Sequence, residues 1–320
     1  MWAQAMVGPR TFQSVEVDVP KADQLRAGEV VVEFRAGAIC GSDLPHYQGV
    51  FAPDGARFGT PGSPLHEVAG IVVESNGGDL EVGERVVGWA RDHNGLAERF
   101  VTDASMLVPL DRRFAALDDV RVTMIQPLAC VLYGLSRVRG VRGRQVAVIG
   151  QGPLGILFSY VLHTFGAARV IAIDQVDRSD VAASFGVTEP VWGSSYHWAR
   201  ELGAEERPEL VVEAVGRQAD TLNDAITALA DGGEILAFGV PTAEWYAMAF
   251  HRLFRRNGTL VSGTVRPFRV SLVQAADYLA SHLDLAERYF THNCAVEQAR
   301  AAYELASVPA PGRLKVGLHC

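Results

Sequence analysis

Residues 145 to 174 constrain the fold most. Val146-Ala147-Val148-Ile149 is a short apolar run of the kind that forms a buried strand. Gly150-Gln151-Gly152-Pro153-Leu154-Gly155 follows, a G-x-G-x-x-G turn. A helical stretch then runs to Gly166, and a second apolar run, Val170-Ile171-Ala172-Ile173, ends on Asp174. Strand, glycine turn, helix, strand and acid in this order predict a βαβ unit that holds a dinucleotide. Gly150 permits the tight turn, Gly152 lets the backbone approach a pyrophosphate, and Gly155 lets helix and strand pack closely. Pro153 and Leu154 open the helix, whose unpaired N–H groups face the phosphates. Asp174 lies 19 residues beyond Gly155. A carboxylate there accepts hydrogen bonds from an adenosine ribose and repels a 2′-phosphate, which favours NAD over NADP. Arg178 is the nearby residue that would accommodate a 2′-phosphate instead.

The same alternation continues downstream. Leu210 to Gly216, Glu234 to Gly239 and Thr259 to Gly263 read as strands, and Thr221 to Ala230 as an amphipathic helix. Helical spacing of Leu128, Val131, Leu132, Leu135 and Val138 leads into this region from about residue 120. The expectation is a mostly parallel sheet with helices on both faces. Upstream the texture is different: short β-rich runs such as Glu29 to Phe34, Val68 to Glu74 and Glu84 to Trp89, separated by glycine and proline. The tail reads as helix near 269–285 and 296–306, then a strand at Arg313 to Leu318. The chain is therefore α/β, and its 320 residues, 48% apolar, suffice for two domains with separate cores.

Charge and composition narrow the partners. The net charge is −8 with both signs interspersed, so no basic run points to nucleic acid. No apolar run reaches the roughly 18–20 residues of a membrane span. The first residues, MWAQAMVGPR, lack the charged start and apolar core of a signal peptide. Four scattered cysteines, at 40, 130, 294 and 320, fit a reduced, cytoplasmic protein.

Cys40, His66 and Glu67 carry the chemistry of the β-rich part. Cysteine and histidine are the common zinc ligands, and a few protein ligands with one open position make a catalytic site. A cysteine after an apolar strand is equally placed to be core. Here a resemblance adds to the residues. Ala38-Ile39-Cys40-Gly41-Ser42-Asp43, the His66-Glu67 pair, Gly83-Glu84-Arg85-Val86-Val87, Gln126-Pro127-Leu128-Ala129-Cys130, Glu213-Ala214-Val215-Gly216 and Phe238-Gly239-Val240-Pro241 occur in collinear order. Together they resemble the zinc-dependent medium-chain dehydrogenase/reductase superfamily, nearest its sorbitol and threonine dehydrogenase branch.

The resemblance implies a GroES-like catalytic domain from residues 1–119 and 266–320, with a Rossmann domain, 120–265, inserted. It implies one catalytic zinc on Cys40 and His66, with Glu67 an adjacent or alternate ligand and Gln126 at a further ligand position. Asp43 would orient the ligand histidine. Ser42 would relay the alcohol proton. Val215, Gly239, Val240 and Lys315 would lie along the cofactor, Lys315 near its pyrophosphate. A homo-oligomer, a dimer or tetramer joined near Thr259 to Val265, is also implied. So is a small alcohol or ketone substrate, with Phe51, His46, Tyr47, Trp89 and Arg91 as pocket residues.

Three departures stand out. Val87 to Asn94 runs straight into Gly95, so the four-cysteine lobe of a structural zinc is absent and no structural zinc is expected. Gln126 stands where the branch has glutamate; Cys130, one helical turn on, is an alternative ligand. Pro45 stands where the branch often has a relay histidine, with His46 beside it. The reading is an NAD-dependent, zinc-assisted oxidoreductase acting on a secondary alcohol such as a polyol, amino alcohol or cyclitol. Two alternatives stay open: a zinc-free reductase of an activated C=C or carbonyl, and a dinucleotide-binding sensor or scaffold without turnover.

Overall fold

The computed structural model describes residues 1–50 and 58–320. Contacts divide the chain into two compact units. One comprises Met1–Ala129, Arg266–Val308 and Leu314–Cys320; the other comprises Cys130–Val265 and Pro309–Arg313.

The first unit begins with β1 (Trp2–Gly8) and β2 (Thr11–Glu16), an antiparallel hairpin. It continues through β3 (Glu29–Ala38), β4 (Glu67–Ser75), β5 (Arg85–Trp89), β6 (Arg99–Asp103) and β7 (Leu107–Pro109). The second unit contains β8 (Gln145–Ile149), β9 (Arg169–Asp174), β10 (Glu189–Trp192), β11 (Leu210–Glu213), β12 (Glu234–Ala237) and β13 (Thr259–Ser262). The chain then returns to the first unit with β14 (Phe290–Ala295) and β15 (Lys315–His319).

In the first unit the strand order is β14-β15-β3-β4-β5-β7, with β6 also pairing β3. Val30, Val32, Phe34, Val68, Val72 and Val86 fill its core. Register matters for function. Ala38 pairs Glu67, and Glu67 pairs Trp89. The chain leaving β3, the chain entering β4 and the chain leaving β5 therefore converge at one end of the sheet. Cys40, His66 and the residues after Trp89 are all delivered to that end.

The second unit is a six-stranded parallel sheet in the order β10-β9-β8-β11-β12-β13. The order reverses between β8 and β11, which opens a crevice at the carboxyl ends of those strands. The helix Pro153–Thr164 starts at that end, directly after β8. Gly150 takes φ +90, and a Cβ on Gly155 would lie 1.8 Å from the Gly150 carbonyl oxygen. Only glycine allows this turn and this approach.

The expected strands and helices are present with shifted ends. The tail helix expected over 269–285 is two helices, Phe268–Ala280 and Asp284–Tyr289. Strands β10 and β14 were not expected. Both are sheet-edge strands of mixed composition, and neither carries a continuous apolar run. No helix among the described residues is long and apolar enough to cross a membrane.

Candidate active site

Cys40, His66 and Glu67 bring one sulfur, one ring nitrogen and one carboxylate oxygen within 4.8 Å of one another. Cys130 is in no such group among the described residues. Asp43, 0% exposed, is the anchor beneath. Its Oδ2 accepts from the Cys40 backbone N–H at 3.0 Å, and its Oδ1 accepts from His66 Nδ1 at 2.8 Å. With Nδ1–H committed, the Nε2 lone pair of His66 is the ligand end. Burial alone would raise the Asp43 pKa; the charge and hydrogen bonds of His66 and then His93 hold it well below the usual carboxylate range. Burial would lower that of His66, but the Asp43 charge and hydrogen bond hold it well above the usual value. A thiolate, an imidazole and a carboxylate form the donor set that suits zinc better than magnesium or calcium.

Glu67 is held from two sides. Lys315 Nζ, on a side chain 2% exposed, lies 2.7 Å from Oε1 and 2.6 Å from Oε2. The sequence expectation put Lys315 near a pyrophosphate; the structure instead buries its ammonium against Glu67, because β15 joins β3 beside the start of β4. Gln126 is also placed on Glu67. With its amide turned to satisfy both ends, nitrogen donates to Glu67 Oε1 at 3.2 Å and oxygen accepts from Trp89 Nε1. Gln126 thus bridges a carboxylate and an indole.

The remaining expected residues divide. Ser42 lies half-buried in the turn between Cys40 and Asp43. His46, in the short helix Leu44–Tyr47, is half-buried; burial and then the charge of His93 depress its pKa against the pull of Asp43. Tyr47 is not a pocket residue. It is fully buried among Phe12 and Tyr303, and its hydroxyl donates to Glu304 at 3.0 Å. Arg91 is likewise spent elsewhere, on Glu29 at 2.6 Å and Asp103 at 3.2 Å. Phe51 lies outside the described residues.

In the second unit Gly150, Gly152, Pro153, Leu154 and Gly155 form the turn and the helix start. Gly152 is the N-cap with no side-chain cap, and a Cβ there would meet nothing within 4 Å. That open backbone fits a pyrophosphate. Asp174 ends β9; its Oδ2 accepts from Gln151 N at 2.5 Å and its Oδ1 from Val176 N at 2.7 Å. The cleft beside it is lined by Ile156, Val176, Arg178, Val191 and Trp192. Arg178 directs Nη1 to the carbonyls of Ala310, at 2.8 Å, and Arg313, at 2.9 Å. Val215 stands over Gly150, with its Cγ2 2.7 Å from where a Cβ would be. Gly239 and Val240 back onto Gly216, where Arg217 N donates to Val240 O at 2.9 Å.

Residues 26–112 match the family model described as alcohol dehydrogenase GroES-like domain, and residues 130–309 match that described as glucose dehydrogenase C-terminus. The chain belongs to the zinc-type medium-chain alcohol dehydrogenase superfamily. Among its relatives are D-arabinitol dehydrogenase 1 of Uromyces fabae, 27% identical over 72% of this chain and 73% of that one. D-altritol 5-dehydrogenase of Agrobacterium fabrum is 28% identical over 88% of this chain and 89% of its own. The solved structure of alcohol dehydrogenase TADH from Thermus sp. ATN1 superposes with TM-score 0.83 at 26% identity, covering 100% of this chain and 99% of that one. This dehydrogenase is an α/β oxidoreductase with a GroES-like β domain and a Rossmann sheet.

The sequence reading of the dehydrogenase missed two organising side chains. Glu213 Oε1 accepts from Val215 N at 3.0 Å, Gly216 N at 2.9 Å and Thr221 Oγ1 at 2.9 Å, fixing the loop after β11. His93 donates Nδ1 to Asp43 Oδ1 at 2.9 Å, and its ring meets that of His66 at 4.5 Å and 60°. His93 lies just after β5, where the strand register returns the chain to His66, and nothing in the sequence marks that return.

Proposed function

We propose that this dehydrogenase interconverts a secondary alcohol and its ketone with NAD, using one zinc held by Cys40, His66 and Glu67. The observation that carries the reading is that cluster, with His66 Nδ1 already committed to buried Asp43. A zinc ion in such a site supplies Lewis acidity toward a substrate oxygen. The dinucleotide supplies the hydride acceptor.

The chain does the rest. Asp43 holds the His66 ring in the tautomer that presents Nε2. Lys315 and Gln126 hold the Glu67 carboxyl fixed in orientation beside Cys40. The Ser42 hydroxyl receives the alcohol proton and passes it outward, toward His46. A neutral imidazole is the state that accepts a proton, and burial and His93 favour that state at His46. Asp174 favours the free ribose of NAD over a 2′-phosphate. Polyols are the favoured substrates, in line with the arabinitol and altritol dehydrogenases among the relatives.

The test is zinc per chain by elemental analysis, on protein purified without chelators, together with NAD reduction on a panel of polyols and simple alcohols. One zinc per chain is expected, with zinc and activity both lost in Cys40→Ala and His66→Ala. Full activity in a zinc-free protein that still binds NADH would overturn the reading in favour of the zinc-free reductase.

A further inference from the structure

Arg178 and Arg313 are two cations that the second unit buries without an acid. Each residue is 7% exposed. Arginine is almost never so buried unless it is paired. Neither guanidinium has a carboxylate partner among the described residues. Arg178 gives Nη1 to the carbonyls of Ala310 and Arg313, at 2.8 and 2.9 Å. Those bonds staple the turn at 309–313 to the residue just before the short helix Ser179–Ala182. Stapling accounts for one nitrogen only. Arg178 Nε, Arg313 Nε and Arg313 Nη1 are enclosed donors that meet no acceptor among the described residues. Burial and then the charge of Arg178 lower the Arg313 pKa, as expected of like charges held close with no counterion. Orphaned donors and two buried positive charges are what a bound anion compensates.

Arg178 also meets an opening. With Gln151, Asp174, Asp177, Ser179 and Trp192 it lines a cleft of about 250 Å³ at the carboxyl ends of β9 and β10. The acids in that wall do not neutralise the pair. Asp174 accepts from Gln151 N and Val176 N, and Asp177 Oδ1 accepts from Ser179 N at 2.9 Å. Their charge opposes any anion in the cleft, so a single guanidinium would be a weak site. A monoanion would leave one of the two positive charges uncompensated. A phosphate dianion matches both charges and has enough oxygens for planar guanidinium donors.

We propose that Arg178 and Arg313 form a phosphate-binding site at the edge of this cleft, with Arg178 as the contact and Arg313 as the second charge. The dianion is free inorganic phosphate or the phosphoryl group of a phosphomonoester such as a ribose 2′-phosphate. The site needs neither zinc nor turnover, so it stands or falls apart from the alcohol chemistry.

Calorimetric titration of the full chain with inorganic phosphate tests it, at about pH 8, where the dianion dominates. Acetate in the same chloride buffer is the monoanion control. One phosphate per chain should bind, with acetate about tenfold or more weaker. Arg313→Met should weaken phosphate binding about tenfold or more, and Arg313→Lys, which keeps the charge, should recover much of it. If Arg313→Met does not fold, the wild type still decides: its thermal midpoint must rise with phosphate and not with acetate at equal ionic strength. No phosphate binding, equal binding of acetate, or unchanged affinity in Arg313→Met would overturn the proposal. Competition with dinucleotides then separates the sources. Displacement of phosphate by NADPH but not by NADH supports the site, names the 2′-phosphate as its ligand and overturns the NAD preference instead. Phosphate retained beside either dinucleotide supports a site for the free ion. Displacement by both assigns the ion to the glycine turn at Gly152 and overturns the proposal.

Discussion

Lys315 Nζ and the Glu67 carboxylate form a buried ion pair at 2.6 to 2.7 Å, beside the thiol and imidazole of the metal-type cluster. Burial would lower the lysine pKa, but the charge of Glu67 and then of Cys40 raises it, so the ammonium stays charged. Lys315 thereby offsets the charge of the buried Glu67 carboxylate.

Removing one partner of such a pair is more damaging than removing both. In chelator-stripped protein, Lys315→Met should lose about 3–5 kcal/mol of stability, because the Glu67 carboxylate is left buried without its cation. The double variant Lys315→Met/Glu67→Gln should recover much of that loss. Urea unfolding of the four members of the cycle gives the coupling directly. Additive losses would show that the pair contributes no coupling and that Lys315 acts through packing alone.

Gln126 separates two roles that sequence could not. As a zinc ligand its removal should cost as much metal as removal of Cys40. As the amide that holds Glu67 and Trp89, its removal should only loosen a ligand's support. Gln126→Ala should weaken zinc binding about 10–100-fold, the range for lost support of a metal ligand. Competition against a chromophoric chelator measures this. Complete loss of zinc, equal to Cys40→Ala, would assign Gln126 to the metal itself.

Legibility in the sequence followed the range of the interaction. The β8–turn–helix–β9 unit was readable because its glycines, apolar runs and Asp174 act within about thirty residues, and each has a local physical reason. Cys40, His66 and Glu67 were readable only through resemblance, and their convergence depends on the pairing of Ala38 with Glu67. His93 was invisible. It lies in a stretch whose only apparent message was a missing lobe, and it reaches Asp43 through strand register and a left-handed turn. Neither leaves a compositional trace. Lys315 was misplaced for the same reason: its partner is 248 residues away in sequence, and β15 was recognisable as a strand without any sign of its neighbour.

Asp174 accepts backbone hydrogen bonds from Gln151 and Val176, and the proposed function gives it a second task, at the cofactor ribose. Two substitutions separate these tasks. Asp174→Asn keeps an acceptor for the backbone but removes the charge that, on the proposed function, repels a 2′-phosphate. It should raise kcat/KM with NADP and lower it with NAD, moving their ratio by about 10–100-fold. Asp174→Ala also frees the glycine turn, so it should lose activity with both cofactors. Steady-state kinetics with each dinucleotide checks this, and an unchanged NAD/NADP ratio in Asp174→Asn would show that cofactor choice lies elsewhere.

Glu234, buried at the start of β12, accepts from Arg139 Nε at 2.8 Å and Arg144 Nη1 at 3.0 Å. Burial would raise its pKa, but the hydrogen bonds and charge of Arg139 and the charge of Arg144 bring it below the ordinary value of 4.5. A carboxyl whose folded pKa is depressed stabilises the fold above its unfolded pKa, and that stabilisation disappears as pH falls through the folded pKa. Glu234→Gln should therefore cost about 1–3 kcal/mol at pH 7, the range for a buried hydrogen bond to charged groups. The gap between wild type and variant should hold from neutral pH down to about pH 5 and shrink below about pH 4. Urea unfolding at several pH values across that interval measures it. A gap that is constant down to the lowest pH would mean that Glu234 contributes by shape and hydrogen bonding and not by its charge. A gap that widens toward acid would reverse the sign of the linkage and refute the depressed pKa.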